Sequence, residues 1–171
     1  MTSLFKISEL DKQSGNNISD SSASIVKFEK SHYIKTESLK KIAPLLPETG
    51  EVIFLFSLKS FNAFTFITYI IKYAGAIDQL TISTYSLNNR ILSSLIRNYD
   101  NGSIKNIEIL ISDSIKYRLP KLNDLLQSQA ASRNMKILYS WNHSKITLLR
   151  VSDNYFVVEG SGNFSENAMY E

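Results

Sequence analysis

The sequence predicts a mixed α/β domain whose sheet has a largely parallel centre, an antiparallel hairpin at one side, and helices on both faces. Short apolar runs alternate three times with segments of helical spacing between about residues 51 and 131, which is typical of strand–helix units in a parallel sheet. A further apolar run and a strand–turn–strand segment then follow without a helix between them. Continuous apolar runs also favour strands that are covered on both faces.

The element boundaries follow from apolar periodicity and from capping and breaking residues. The four strands predicted before the hairpin are Glu51–Phe56, Leu80–Thr84, Ile107–Ile111 and Met135–Tyr139. A short helix opens at Thr36–Ser38 and is stopped by Pro44 and Pro47. A second helix is predicted over Ala63–Tyr73, with a cap at 60–62. A third begins at a cap formed by Asn88–Asn89 and ends at a turn over Asp100–Gly102. A fourth follows Ser112–Ser114 and reaches Ala131, with a bend or start at Pro120.

The last two strands are predicted to form a hairpin. Ile146–Val151 is an apolar run broken mainly by Thr147 and Arg150, Ser152–Asn154 has the composition of a turn, and Tyr155–Val158 is the returning strand. Such a hairpin brings the segment after its second strand back beside the residues that precede its first strand.

Composition limits the function classes. The 171 residues fit one domain, predicted over residues 36–171 behind a polar N-terminal arm over residues 1–35, and the net charge of +3 is compatible with a polyanionic partner. The absence of cysteine excludes disulfides and cysteine zinc sites, and two histidines make a histidine-rich metal site implausible. Met1–Lys12 has no apolar core of signal-peptide length, and Phe61–Ile77 is too short to span a bilayer. We therefore expect a cytoplasmic protein without stable membrane association.

Four side chains near the end of the chain are predicted to converge. His143 and Lys145 are two residues apart, so on a strand their side chains lie on the same face. The hairpin returns Ser161 and Asn163, within the segment Gly160–Asn163, to the same place. Small residues let the backbone approach a ligand, and Ser and Asn form hydrogen bonds with it. A nucleophile or base, a cation and two neutral polar groups together suit a phosphate.

These residues resemble the signature of the phospholipase D superfamily, which is H-x-K, four residues, Asp, six residues and then G-S-x-N. The matching residues are His143, Lys145, Gly160, Ser161 and Asn163. The resemblance covers roughly residues 50–171 and implies a phospholipase D-like mixed sheet flanked by helices.

The sequence departs from this signature in two ways. Arg150 occupies the position of the signature Asp, and the span to Asn163 is three residues longer than usual, with the extra length assigned to the turn. Asp153, in that turn, is a candidate replacement for the missing acid. Many superfamily members carry a Glu shortly after the Asn, and Glu171, or less plausibly Glu166, is the candidate for that role.

The resemblance implies a phosphodiesterase in which one histidine attacks phosphorus to form a phosphohistidine and a second protonates the leaving oxygen. The chain has one H-x-K, so its resemblance to the single-copy nuclease members implies a homodimer in which each subunit contributes His143, Lys145 and Asn163. Ser161 and Glu171 would orient the imidazoles. The scheme requires no metal ion or other cofactor.

Three functions compete at this stage. Small size, a single motif copy and a basic isoelectric point favour a nuclease acting on DNA or RNA. A lipid phosphodiesterase should have a substantial apolar surface for substrate access or a targeting segment. A non-catalytic nucleic-acid-binding or assembly module is the alternative that Arg150 favours.

Four other features have competing interpretations. The basic segment Lys116–Lys121 fits either phosphate contacts or a solvated helix start. Trp141 either walls the pocket or fills the core, and the core is favoured. His32 is predicted to be a surface histidine. The aromatic residues of the first strand–helix unit are predicted to pack in the core rather than to stack on bases; they are Phe54, Phe56, Phe61, Phe64, Phe66, Tyr69 and Tyr73.

Overall fold

The computed structural model describes residues 33–55, 61–161 and 164, which form a mixed five-stranded sheet with α-helices. This confirms the predicted α/β class. The helices are α1 (residues 33–42), α2 (Ala63–Ala74), α3 (Asn89–Asp100), α4 (Ile115–Arg118) and α5 (Pro120–Arg133). The strands are β1 (Gln79–Thr84), β2 (Ile107–Ser112), β3 (Lys136–Ser140), β4 (Lys145–Val151) and β5 (Asn154–Glu159).

The sheet has the predicted parallel centre and antiparallel hairpin. Its strand order is β3-β2-β1-β4-β5, in which β1, β2 and β3 are parallel and β4 runs antiparallel to both of its neighbours. The hairpin turn falls at residues 152–153, and Ser152 adopts a positive φ of 52° there. The carboxyl ends of the three parallel strands therefore lie at the same edge as the start of β4, which we call the carboxyl edge.

The predicted helix starts are confirmed where the sequence offers asparagine caps. The Asn62 side chain accepts a hydrogen bond from the Thr65 amide at the start of α2, and the Asn88 side chain accepts one from the Ile91 amide at the start of α3. Each bond satisfies an amide that the first turn of a helix leaves without a partner. Pro120 begins α5, as predicted, because its ring is compatible with the first helical turn.

Helices α2, α3 and α5 pack on one face of the sheet and α1 packs against α2, so the expectation of helices on both faces is wrong for this part of the chain. The strand residues that enter the buried core, such as Leu80, all lie on one face, where they meet buried residues of α2, α3 and α5. The other face carries exposed apolar side chains: Leu138, Leu148, Tyr155 and Val157. An apolar run in sequence indicates a strand, but it does not reveal whether both faces are covered.

The first predicted strand is wrong over its described part. Residues 51–55 have no regular secondary structure, and the side chains of Val52 and Phe54 are 71% and 80% exposed. The neighbours of β1 are β2 and β4, so the centre of the sheet has no position for this segment. Phe56 lies outside the described residues. Phe64 and Tyr69 are buried, as predicted.

Asp78 holds together the sheet edge opposite the carboxyl edge. Its carboxylate accepts hydrogen bonds from the Lys105 ammonium and from the Ser152 amide, both at 2.7 Å, and its own amide donates to the Arg150 carbonyl. The hydrogen bonds from Lys105 and Ser152 hold the pKa of Asp78 below its usual range. The hairpin turn is thereby fixed to the start of β1.

No helix in the part of the chain that the structure describes combines the length and the apolar character needed to cross a bilayer.

Candidate active site

A short connection crosses the carboxyl edge of the sheet. Strands β3 and β4 are separated by β2 and β1, yet only residues 141–144 join them. Three strand spacings amount to about 14 Å, whereas the five steps from Ser140 to Lys145 reach at most about 17 Å. The connection, which we call the crossing loop, is therefore close to fully extended and lies over the ends of two parallel strands.

Asn142 fixes the crossing loop to those strand ends. Its side-chain amide donates to the Ser83 hydroxyl at 3.0 Å and to the carbonyls of Thr84 and Leu110 at 3.3 Å. Its side-chain oxygen accepts from the amide and the hydroxyl of Ser144, at 2.9 and 2.7 Å. The Ser144 hydroxyl also hydrogen-bonds with that of Ser83. Residues 142 and 144 thus face the sheet, a positioning role that the sequence analysis did not identify.

His143 and Lys145 are in direct contact on the opposite, accessible side of the crossing loop. The Lys145 ammonium lies 3.3 Å from Nδ1 of His143 and donates to the His143 carbonyl at 3.0 Å. The prediction that the two side chains meet at one point is confirmed. The prediction that both stand on a strand is wrong for His143, because β4 begins at Lys145; the extended loop preserves the alternation instead.

The Lys145 contact bears on which ring nitrogen of His143 is reactive. When Nδ1 accepts a hydrogen bond from the ammonium, the neutral ring carries its proton on Nε2. In that tautomer Nε2 can donate its proton, but it has no lone pair with which to attack phosphorus. Attack by Nε2 requires the proton on Nδ1, so the Lys145 ammonium cannot then donate a hydrogen bond to that nitrogen. Lys145 makes no ion pair with a carboxylate of the described residues, so an anionic ligand is a natural partner for its charge.

Tyr85 packs against His143 and is itself bonded to Arg118. The Tyr85 ring packs against the imidazole, with centroids 5.0 Å apart, and the Arg118 guanidinium donates to the Tyr85 hydroxyl. A hydrogen bond with the Ser114 hydroxyl and the charge of Arg118 lower the pKa of Tyr85. Arg118 belongs to the basic segment 116–121, so part of that segment lies beside the candidate site.

The start of the second half of the motif lies beside Lys145, whereas the predicted convergence of Ser161 and Asn163 on His143 stays a prediction. The Gly160 amide donates to the Lys145 carbonyl at 3.3 Å, which puts the start of the Gly-Ser-Gly-Asn segment beside the lysine, and Ser161 is exposed. Phe164 is fully buried and forms a backbone bridge with Leu87 near the carboxyl edge. The remaining predicted site residues, Asn163, Glu166 and Glu171, lie outside the described residues, as does His32.

Arg150 and Asp153 lie far from the candidate site. Lys145 pairs with Thr84 at the end of β1, whereas Arg150 pairs with Gln79 at its start. Five residues of strand separate the two cations by about 17 Å and place them on opposite faces. Asp153 lies in the turn beyond Arg150, so the hypothesis that it replaces the missing acid is wrong.

Trp141 is 92% exposed at the start of the crossing loop, so its predicted place in the core is wrong. The crossing loop is close to fully extended and has little spare length with which to fold the indole under the sheet. Lys116 lies at the same edge, with its ammonium 4.1 Å from the centroid of the Tyr139 ring.

Within the described residues, no three histidine, aspartate or glutamate side chains are grouped in a way that could hold a metal ion. Comparison of the chain with protein-family models gives no match, and a search of curated proteins likewise gives none. The resemblance to the phospholipase D superfamily therefore depends on the motif residues of the sequence.

Proposed function

We propose that this chain is a metal-independent phosphodiesterase, a nuclease that cleaves DNA or RNA through a phosphohistidine intermediate in a homodimeric site. The observation that carries the proposal is the contact of the His143 imidazole with the Lys145 ammonium at an accessible sheet edge, where Gly160 pairs with Lys145. An imidazole beside a cation without a carboxylate partner among the described residues supports binding and reaction of a phosphate.

In the proposed reaction, Nε2 of one His143 attacks phosphorus and forms a P–N bond. The P–O bond to the leaving oxygen breaks, and that oxygen takes a proton from the second subunit's imidazole. This imidazole then takes a proton from water, whose oxygen attacks phosphorus and breaks the P–N bond. Lys145 and Asn163 hold the non-bridging oxygens as their charge increases, while Ser161 and Glu171 orient the rings. Loading of phosphate draws Lys145 away from Nδ1 and so frees the attacking tautomer.

Metal-free hydrolysis of a short labelled oligonucleotide, assayed in excess chelator, tests this proposal. His143→Ala should lower kcat by about 10³-fold or more, because it removes both attack and proton transfer. The chain's other histidine supplies the matched control, and His32→Ala should retain activity. Activity that disappears with chelator and returns with magnesium, or that persists in His143→Ala, would refute the proposal.

The homodimeric site has its own test. If each reaction needs two copies of His143, a heterodimer of wild-type and His143→Ala chains is inactive. An equal mixture of the two proteins, co-refolded so that subunits exchange, should therefore retain about a quarter of the wild-type activity instead of half. Retention of half would show that each chain acts alone.

One observation favours a second candidate, a non-catalytic nucleic-acid-binding module. Arg150 and Asp153 both lie at the far end of the hairpin, so neither supplies the acid of the signature. This candidate predicts oligonucleotide binding by the wild-type chain with no hydrolysis under any condition.

A further inference from the structure

Trp141 is the only tryptophan of the chain and sits two residues before His143 with its indole 92% exposed. Burial of a large apolar side chain stabilises the folded state. The exposed indole of Trp141 on the extended crossing loop does not make that contribution. Single exposed apolar residues are common on protein surfaces. Here, however, the indole lies in the same four-residue loop as the candidate nucleophile.

The crossing loop presents its residues alternately. Asn142 and Ser144 are bonded into the sheet edge, whereas Trp141, His143 and the following Lys145 lie on the accessible side. A two-residue step in an extended chain is about 7 Å. An indole, an imidazole and an ammonium therefore follow one another along the sheet edge.

A second cation–aromatic pair lies beside His143. Tyr85 contacts the imidazole ring, and Arg118, whose guanidinium carbon is 5.7 Å from the Tyr85 ring centroid, donates to the tyrosine hydroxyl. Arg118 is exposed at the end of α4 and makes no ion pair with a carboxylate of the described residues. The candidate site therefore has an exposed indole on the crossing loop and an exposed guanidinium that is bonded to the tyrosine contacting His143.

We propose that the exposed Trp141, the His143–Lys145 pair and Arg118 together form a platform for single-stranded nucleic acid. Trp141 stacks on an unpaired base next to the phosphate held by Lys145, and Arg118 contacts a neighbouring phosphate. Aromatic stacking with cationic backbone contacts is how proteins hold single strands. In a duplex the faces of each base are covered by its neighbours and are closed to the indole. The inference rests on the proposed nuclease function and names its substrate class.

Because Trp141 is the sole tryptophan, its fluorescence reports contact directly and without turnover. In a His143→Ala background, a short oligothymidylate should quench the emission at low salt, and a blunt duplex of the same length should quench it much less. Trp141→Ala should weaken oligothymidylate binding about 5- to 100-fold. The affinity is measured by the fluorescence polarization of a labelled strand. Trp141→Phe should restore most of the affinity.

Two further variants sharpen the test. Arg118→Gln should weaken binding of all strands alike and reduce the slope of log affinity against log salt by about one. Tyr155→Ala removes an exposed aromatic residue from β5, away from the carboxyl edge, and should leave binding unchanged.

The outcomes separate this inference from the proposed function. If the wild-type chain hydrolyses oligonucleotides but Trp141→Ala binds and cleaves them normally, the platform is refuted and the nuclease stands. If a single strand quenches Trp141 but no hydrolysis occurs, the platform stands and the nuclease is refuted. Equal or tighter binding of the duplex would overturn the single-strand assignment.

Discussion

Replacing Asn142 with alanine should destabilise the protein and disturb the site it positions. The substitution removes five side-chain hydrogen-bond contacts: two accepted from Ser144, and three to Ser83, Thr84 and Leu110 that share the two hydrogens of the amide nitrogen. Net contributions near 0.5 kcal/mol each, the low end for partly buried groups that water can reach, amount to about 2–3 kcal/mol. For a chain of this size the loss corresponds to a melting temperature lower by about 5–10 °C.

Thermal unfolding followed by circular dichroism measures this change. Asn106→Ala is the matched control, because the Asn106 side chain makes one hydrogen bond, to the Asp78 carbonyl at 2.8 Å, at the opposite end of β1. The control should lose about 1 kcal/mol or less. Asn142→Asp should be at least as unstable as Asn142→Ala at neutral pH, since a carboxylate faces the Thr84 and Leu110 carbonyls without a proton to donate. Equal melting temperatures for Asn142→Ala and Asn106→Ala would refute the positioning role.

Three further predictions concern the sheet. The Thr147 hydroxyl is buried without a hydrogen-bond partner among the described residues, so Thr147→Val should raise the melting temperature by about 2–4 °C. A lower melting temperature would show that the hydroxyl makes a stabilising hydrogen bond. The pKa of Asp78 is lowered chiefly by its hydrogen bond from Lys105, so the stability that its carboxylate contributes is present above the unfolded pKa of about 3.9 and is lost as the pH falls through the lower folded pKa. The difference in melting temperature between wild type and Asp78→Asn should therefore disappear on acidification. A difference that persists at the lowest pH would contradict this prediction. Arg150→Ala should leave cleavage mostly intact because Arg150 lies at the far end of β4 and on the opposite face from Lys145; a large loss of kcat with the fold preserved would show a functional role.

Features that depend on neighbouring residues in the chain could be predicted from the sequence. The asparagine caps of α2 and α3, the break at Pro120 and the turn before β5 each follow from residues within a few positions of one another. The meeting of His143 and Lys145, and the return of Gly160 to Lys145, also follow from alternation and a short hairpin.

Features that depend on strand order could not be predicted. The local sequence does not say that β3 and β4 lie three strand spacings apart, and that separation stretches the crossing loop, exposes Trp141 and gives Asn142 its partners. The pairing of Arg118 with Tyr85 joins residues 33 positions apart. The exposed residues 51–54 show the same limit, because an apolar segment predicts burial but does not show which part of the protein would cover it.

Covalent trapping tests the phosphohistidine most directly. The wild-type chain, mixed with a short end-labelled single strand in chelator and quenched in alkali within the first turnover, should carry a nucleotide adduct on His143 by mass spectrometry of its peptides. His32→Ala should form the same adduct, and His143→Ala should form none. Hydrolysis without an adduct on His143, or an adduct that survives the His143→Ala substitution, would contradict the proposed mechanism.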